Sequence, residues 1–210
     1  MFYAYNYRYW TISIILSAPN PVGFILLANV KGRFFSKSTI IGSILKYFLP
    51  KNWKIVIRLG TTDRIIDIVQ ALEEYPDKNL IIIDLGTATT FDVLKKNVYV
   101  GGAILPGIEM SINALCGNTA KLPKVKFTTP ECALGSDTIS QIQSGIFYGY
   151  AGQIKHIIRK MKEEVGEECF VVATGGLGKI LSAEIDEIDV YKADLSIKGL
   201  YTLYQNNKTK

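Results

Sequence analysis

Paired cysteines, histidine clusters and an unbroken apolar run of membrane length are all missing from this 210-residue chain. The three cysteines, Cys116, Cys132 and Cys169, have no C-x-x-C spacing, which argues against a zinc site and a disulfide framework and for reduced thiols in a cytoplasmic protein. The one histidine, His156, falls among charges on a helical pattern and reads as a surface residue. The apolar stretch 9–30 is the one membrane candidate, and Pro19-Asn20-Pro21 breaks it into runs too short to span as helices. Two β-strands around a turn fit it better. Its aromatic start and the want of a clean small-residue cleavage site also disfavour a signal peptide.

No block of one charge sign is present either. The net charge of +5 arises from Lys and Arg scattered among acids, as in the run from His156 to Glu164. Such patterning reads as solvated helix faces and not as a nucleic-acid surface, while a mild basic excess suits small anionic substrates. Repeats and low-complexity segments are absent, and 48% hydrophobic content supplies a core for one large or two small domains.

What is present centres on residues 80–107. Leu80-Ile-Ile-Ile-Asp84 reads as a buried strand that delivers an acid to a turn, and the chain returns through Thr87, Thr89 and Thr90 as a second strand. Gly86 removes a Cβ that would keep a ligand off the backbone, and the turn amides can hold an anion while Asp84 holds its counter-cation. A plain hairpin whose Asp and Gly only shape the turn is the alternative. Downstream, residues 170–174 form another apolar strand that ends on Gly175-Gly176 before a helical pattern.

Along the rest of the chain, residues 11–16, 22–30 and 33–35 read as a β-meander, 38–48 as a helix and 54–57 as a short strand. A helix opens at Gly60-Thr61-Thr62-Asp63-Arg64, with Ile65, Ile68, Val69 and Leu72 at helical spacing. Asp63 there is open to reading as a helix N-cap or first-turn acid. Pro106 is expected to open a helix over 107–116. A long helix is expected from Asp137-Thr138 to about Val165, with Ile139, Ile142, Ile146, Ile154, Ile157 and Met161 along it and Thr138 as its ordinary N-cap. Its interior Gly145, Gly149 and Gly152 are unfavourable unless something packs close. Residues 188–190 and a helix over 195–204 close the chain.

The ordered set of motifs resembles the type III pantothenate kinases, within the sugar-kinase, Hsp70 and actin superfamily. The matching stretches are Asp84-Leu-Gly-Thr-Ala-Thr-Thr-Phe-Asp92, Gly101-Gly-Ala-Ile-Leu-Pro-Gly107, Ala120-Lys-Leu-Pro123, Thr138 before Gln143-Ser-Gly145, and Thr174-Gly-Gly176. The resemblance covers roughly residues 63–204. It implies an α/β fold of two ribonuclease-H-like halves, with an abbreviated half at 1–79 and an intact one at 80–210. It implies ATP, Mg²⁺ and a monovalent cation (K⁺ or NH₄⁺) as cofactors, pantothenate as substrate and a homodimer, with no nucleic-acid or membrane partner. Asp63 becomes the general base, Thr61, Thr62, Asp63 and Arg64 the substrate loop, and Thr138 a pantothenate contact from the partner subunit. Gly86 and Thr87 fall to ATP, Gly175 and Gly176 to adenosine, and Asp84 to the monovalent cation.

One departure is visible. The family's first turn carries D-x-G-N-T, and the corresponding slot here, Ser17-Ala18-Pro19-Asn20-Pro21, keeps only the asparagine. Loss of the acid and two amides predicts weak ATP binding and slow turnover. It also leaves open a non-catalytic, regulatory or binding descendant. An unrelated sugar or acetate kinase is a third reading, disfavoured by the motifs at 101–123.

Overall fold

A computed structural model describes residues 62–119 and 121–208. The expected β-meander, the helix at 38–48, the strand at 54–57, Thr61 and the Ser17–Pro21 slot all lie outside the described residues, and of the abbreviated half expected at 1–79 residues 62–79 are described.

Within the described residues the order is α1 (Thr62–Glu74), β1 (Asn79–Leu85), β2 (Ala88–Lys95), β3 (Val98–Pro106), α2 (Ile108–Gly117), α3 (Thr138–Val165), β4 (Cys169–Thr174), α4 (Gly178–Ser182), β5 (Val190–Tyr191) and α5 (Leu195–Lys208). The strands form one sheet in the order β3-β2-β1-β4-β5. β1 pairs antiparallel with β2 and parallel with β4, and β3 continues antiparallel along β2. This is the ribonuclease-H-like sheet, a meander followed by parallel strands.

Side-chain alternation splits the sheet into two buried faces. Ile81, Ile83, Leu85, Phe91 and Val93 meet Ile112 of α2, Phe147 and Ile154 of α3 and Leu181 of α4. On the other face Leu80, Ile82, Leu94 and Val172 meet Ile65, Ile68, Val69 and Leu72 of α1 and Leu195 of α5. The β-branched run of β1 is therefore covered on both sides, which is why it reads as continuous apolar sequence and not as an alternation. Each such side chain contributes about 1.5–3 kcal/mol when fully buried.

Two expected helix starts are corrected. Pro106 ends β3, paired with Ala88, and Gly107 caps α2; β3 is an edge strand, where a residue without an N–H is tolerated. The N-cap of α3 is Asp137, not Thr138. Its carboxylate accepts from the Ile139 and Ser140 amides, and the Ser140 hydroxyl accepts from the Asp137 amide, closing a capping box that Thr138 has no part in.

Candidate active site

The face covered by α1 changes character along its length. Toward the C-terminal end of β1 its inward positions turn from Leu80 and Ile82 to Asp84, which lies opposite Thr90 on β2 and Thr174 on β4. Asp92 lies opposite Ile82, hence on the same face. The first two turns of α1 stand over this polar end and bring Asp63, Arg64 and Asp67 to it.

Arg64 is the best-anchored of these residues. Its Nε donates to both Asp92 oxygens at 3.1 and 3.0 Å, and Nη2 donates to Asp92 Oδ1 at 2.5 Å and to the Tyr99 hydroxyl at 3.0 Å. Arg64 is 8% exposed and Asp92 2%. Burial alone would pull the guanidinium pKa down; the bonds and charge of Asp92 outweigh it and hold the pKa above its ordinary value. Removing one member of such a pair costs about 3–5 kcal/mol, because the other charge stays buried without a partner.

Asp63, one position earlier, points to solvent. It lies in the first turn of α1, where an acid suits the helix dipole, and its side chain is free to meet a ligand. Asp67, one turn further on, is 1% exposed. Its Oδ1 accepts a 2.6 Å hydrogen bond from Ser196 of α5, and its Oδ2 has no partner among the described residues. Burial first, against which the Ser196 bond acts, and then the nearby carboxylates of Asp84, Asp63 and Asp92 push its pKa up to about 7. Neither the spacing nor the resemblance singled out Asp67. It lies two positions after Ile65 and so on the side of α1 away from the sheet, where an acid in sequence reads as a solvated charge; α5 covers it there.

Asp84 is half-buried, and burial followed by the Asp63 and Asp92 charges raises its carboxyl above the ordinary range. It has no hydrogen bond or ion pair among the described residues, and across the strand the Thr90 hydroxyl is buried without a partner. Hard oxygens and an uncompensated carboxylate suit a hard cation. Among the described residues no group of three or more His, Cys, Asp or Glu is placed to hold a metal ion.

Gly86 and Thr87 form the two-residue link between β1 and β2, with Thr87 exposed at the tip. Gly175 and Gly176 differ from each other. Gly175 has φ of +94°, and a Cβ there would lie 2.5 Å from the Leu85 backbone, so the fold itself requires glycine. A Cβ at Gly176 would meet nothing within 4 Å, which leaves open surface beside the β4–α4 turn. Thr62 begins α1. Thr138 is exposed at the start of α3, in the helix layer on the other face of the sheet, and no hydrogen bond joins it to Asp63 or Arg64. Gly145, Gly149 and Gly152 follow it on one side of α3, and a Cβ at each would also meet nothing within 4 Å. His156 is exposed and the three cysteines are free. No described helix is long and apolar enough to cross a membrane.

A ribonuclease-H-like sheet with an acid-ended β1, a hydroxyl-rich hairpin and a glycine pair after β4 defines the α/β class that the sequence motifs imply. The family model for type III pantothenate kinase matches residues 11–160, and the chain belongs to that family. A type III pantothenate kinase of Fusobacterium nucleatum subsp. nucleatum is 75% identical over 146 residues, 70% of this chain and 57% of the relative, so the chain spans little more than half of that protein's length. A crystal structure named for the Baf family of transcriptional activators, from Campylobacter jejuni, superposes with a TM-score of 0.51 at 23% identity, covering 79% of this chain and 72% of that one. That likeness concerns the fold alone.

Proposed function

We propose that this chain phosphorylates pantothenate at its primary hydroxyl with ATP, the first step toward coenzyme A. The observation that carries the reading is the pairing of a solvent-facing Asp63 with an anchored Arg64 above the Asp84 hairpin, together with family membership. Mg²⁺-bound ATP supplies the transferable γ-phosphoryl group and its leaving oxygen.

Asp63 accepts the hydroxyl proton as the pantothenate oxygen attacks. Arg64 supplies positive charge for the substrate's one anionic group, and Thr61 and Thr62 belong with it to the substrate-binding motif that the resemblance implies. Asp84, with Thr90 opposite, holds a monovalent cation such as K⁺ or NH₄⁺ near the phosphates. Thr87 and the Gly86 turn face the nucleotide, and Gly175 and Gly176 lie beside adenosine. Two chains pair along the glycine side of α3 as a homodimer, which brings Thr138 of one to the pantothenate of the other. The protein works in the cytoplasm without nucleic-acid or membrane partners.

A binding or regulatory role is the second reading, favoured by Ser17-Ala18-Pro19-Asn20-Pro21 in place of D-x-G-N-T. A coupled ADP-release assay separates the two. Kinase activity requires pantothenate-dependent ADP release that rises with added K⁺ or NH₄⁺. Pantothenate binding without ADP release supports the regulatory reading, and neither binding nor release overturns both.

A further inference from the structure

Arg64 uses only part of its donor set internally. Nε and Nη2 are committed to Asp92 and Tyr99, while Nη1, with two N–H groups, has no partner among the described residues and is not sealed from solvent. A guanidinium clamped along its Nε–Nη2 edge presents the remaining Nη1 N–H groups in a fixed direction, where they can meet an oxygen of an anion.

The clamp is built into the hairpin by two local features. Between Val93 and Leu94 the β2–β3 register slips by one residue, so that Val93 faces Gly101 and Leu94 faces Tyr99. A regular ladder would place Val100 opposite Leu94 and send Tyr99 to the other face of the sheet; the bulge turns the Tyr99 ring toward Arg64 instead. Gly102 then lies opposite Asp92, where a Cβ would fall 2.0 Å from the Phe91 carbonyl oxygen and 3.2 Å from the Tyr99 hydroxyl. Gly102 therefore leaves the space into which Tyr99 folds.

We infer that Asp92 and Tyr99 are positioning residues for substrate recognition, holding Arg64 so that its Nη1 end meets the pantothenate carboxylate. The inference rests on the pantothenate reading above, which gives Arg64 the substrate's anionic group, and adds to it which residues aim the guanidinium. A merely structural ion pair would hold α1 on the sheet without distinguishing ligands by charge.

The test compares pantothenate with its alcohol analogue, in which CH₂OH replaces the carboxylate, by calorimetry on the full chain. Wild type should bind pantothenate more tightly. Tyr99→Phe, which keeps the ring and removes the hydroxyl, should weaken pantothenate roughly three- to tenfold, the scale of one lost hydrogen bond, and leave the alcohol unchanged. Asp92→Asn should act the same way more strongly. In an Arg64→Lys background Tyr99→Phe should have no further effect, since the guanidinium it aims is gone. If Tyr99→Phe weakens both ligands equally, or neither, or if wild type binds both alike, the inference fails while the pantothenate reading stands. Wild type that binds neither overturns that reading and the inference with it. Should Asp92→Asn not fold, Tyr99→Phe alone decides.

Discussion

The Ser196 hydroxyl on α5 donates to Oδ1 of Asp67 on α1 at 2.6 Å, and the second carboxylate oxygen of Asp67 is buried without a partner among the described residues. This bond ties the helix that carries Asp63 to the last helix of the chain. A carboxyl in that place is more readily accommodated with its proton on, because burial and the charges of Asp84, Asp63 and Asp92 all oppose ionisation.

A pH dependence of stability follows. The folded pKa of about 7 lies above the unfolded value, so folding takes up a proton in the window between them. The Asp67 contribution is fully present below about pH 4, declines as pH rises and is gone above about pH 7. Asp67→Asn keeps an acceptor for Ser196 and removes the titration. Denaturant midpoints at pH 5 and pH 8 should fall further for wild type than for the variant; parallel curves would show that Asp67 ionises normally.

Asp63 gives the second prediction. It is exposed and pairs with no side chain among the described residues, so Asp63→Asn should leave the thermal midpoint unchanged, Asn serving a helix start nearly as well. The kcat for pantothenate phosphorylation should fall on the order of a hundredfold, the usual scale for loss of a general base. Near-full activity would return Asp63 to the role of a first-turn acid.

How much of this could be read beforehand varied with the kind of signal. β1 and β4 were legible because strands covered on both faces are almost wholly apolar, and α1 because Ile65, Ile68, Val69 and Leu72 repeat at helical spacing. The long α3 was legible too, but its buried face was only half recognised. Phe147, Tyr150 and Ile158 are core residues beside the expected Ile142 and Ile154, whereas Ile139 is 49% exposed. The Arg64 clamp was not legible at all. It depends on a register slip that reverses Tyr99, and nothing in a single sequence marks which of two glycines follows the bulge. Asp67 was hidden for a related reason, since Ser196 lies 129 residues away.

The glycine pair offers a controlled contrast. Gly175→Ala places a Cβ 2.5 Å from the Leu85 backbone at a φ of +94° and should destabilise the fold by about 2 kcal/mol or more, read as a lowered denaturation midpoint. Gly176→Ala meets no atom and should leave the midpoint within about 0.5 kcal/mol of wild type. If adenosine lies against that turn, Gly176→Ala should raise the KM for ATP while the KM for pantothenate holds. An unchanged ATP KM would move the adenosine elsewhere.

The last prediction concerns assembly. Gly145, Gly149 and Gly152 lie at i, i+4 and i+7 on α3, and among the described residues no atom outside the adjoining helix backbone comes within 4 Å of a Cβ at any of them. Internal packing therefore gives no reason for three residues that each weaken a helix by about 1 kcal/mol relative to alanine. A second α3 lying close along that side would. Gly149→Leu separates the explanations because its effects on the chain and on the pair have opposite sign. In an isolated chain leucine fits open space and favours the helix, so thermal stability should hold or rise. Across a close two-fold contact it becomes a wedge, and light scattering at micromolar concentration should report the mass falling from two chains to one. Pantothenate affinity should fall with it, since Thr138 then loses the site it completes on the other copy. A wild-type chain that is already monomeric, or a Gly149→Leu variant that remains dimeric with full pantothenate affinity, would remove α3 from the interface and Thr138 from the site.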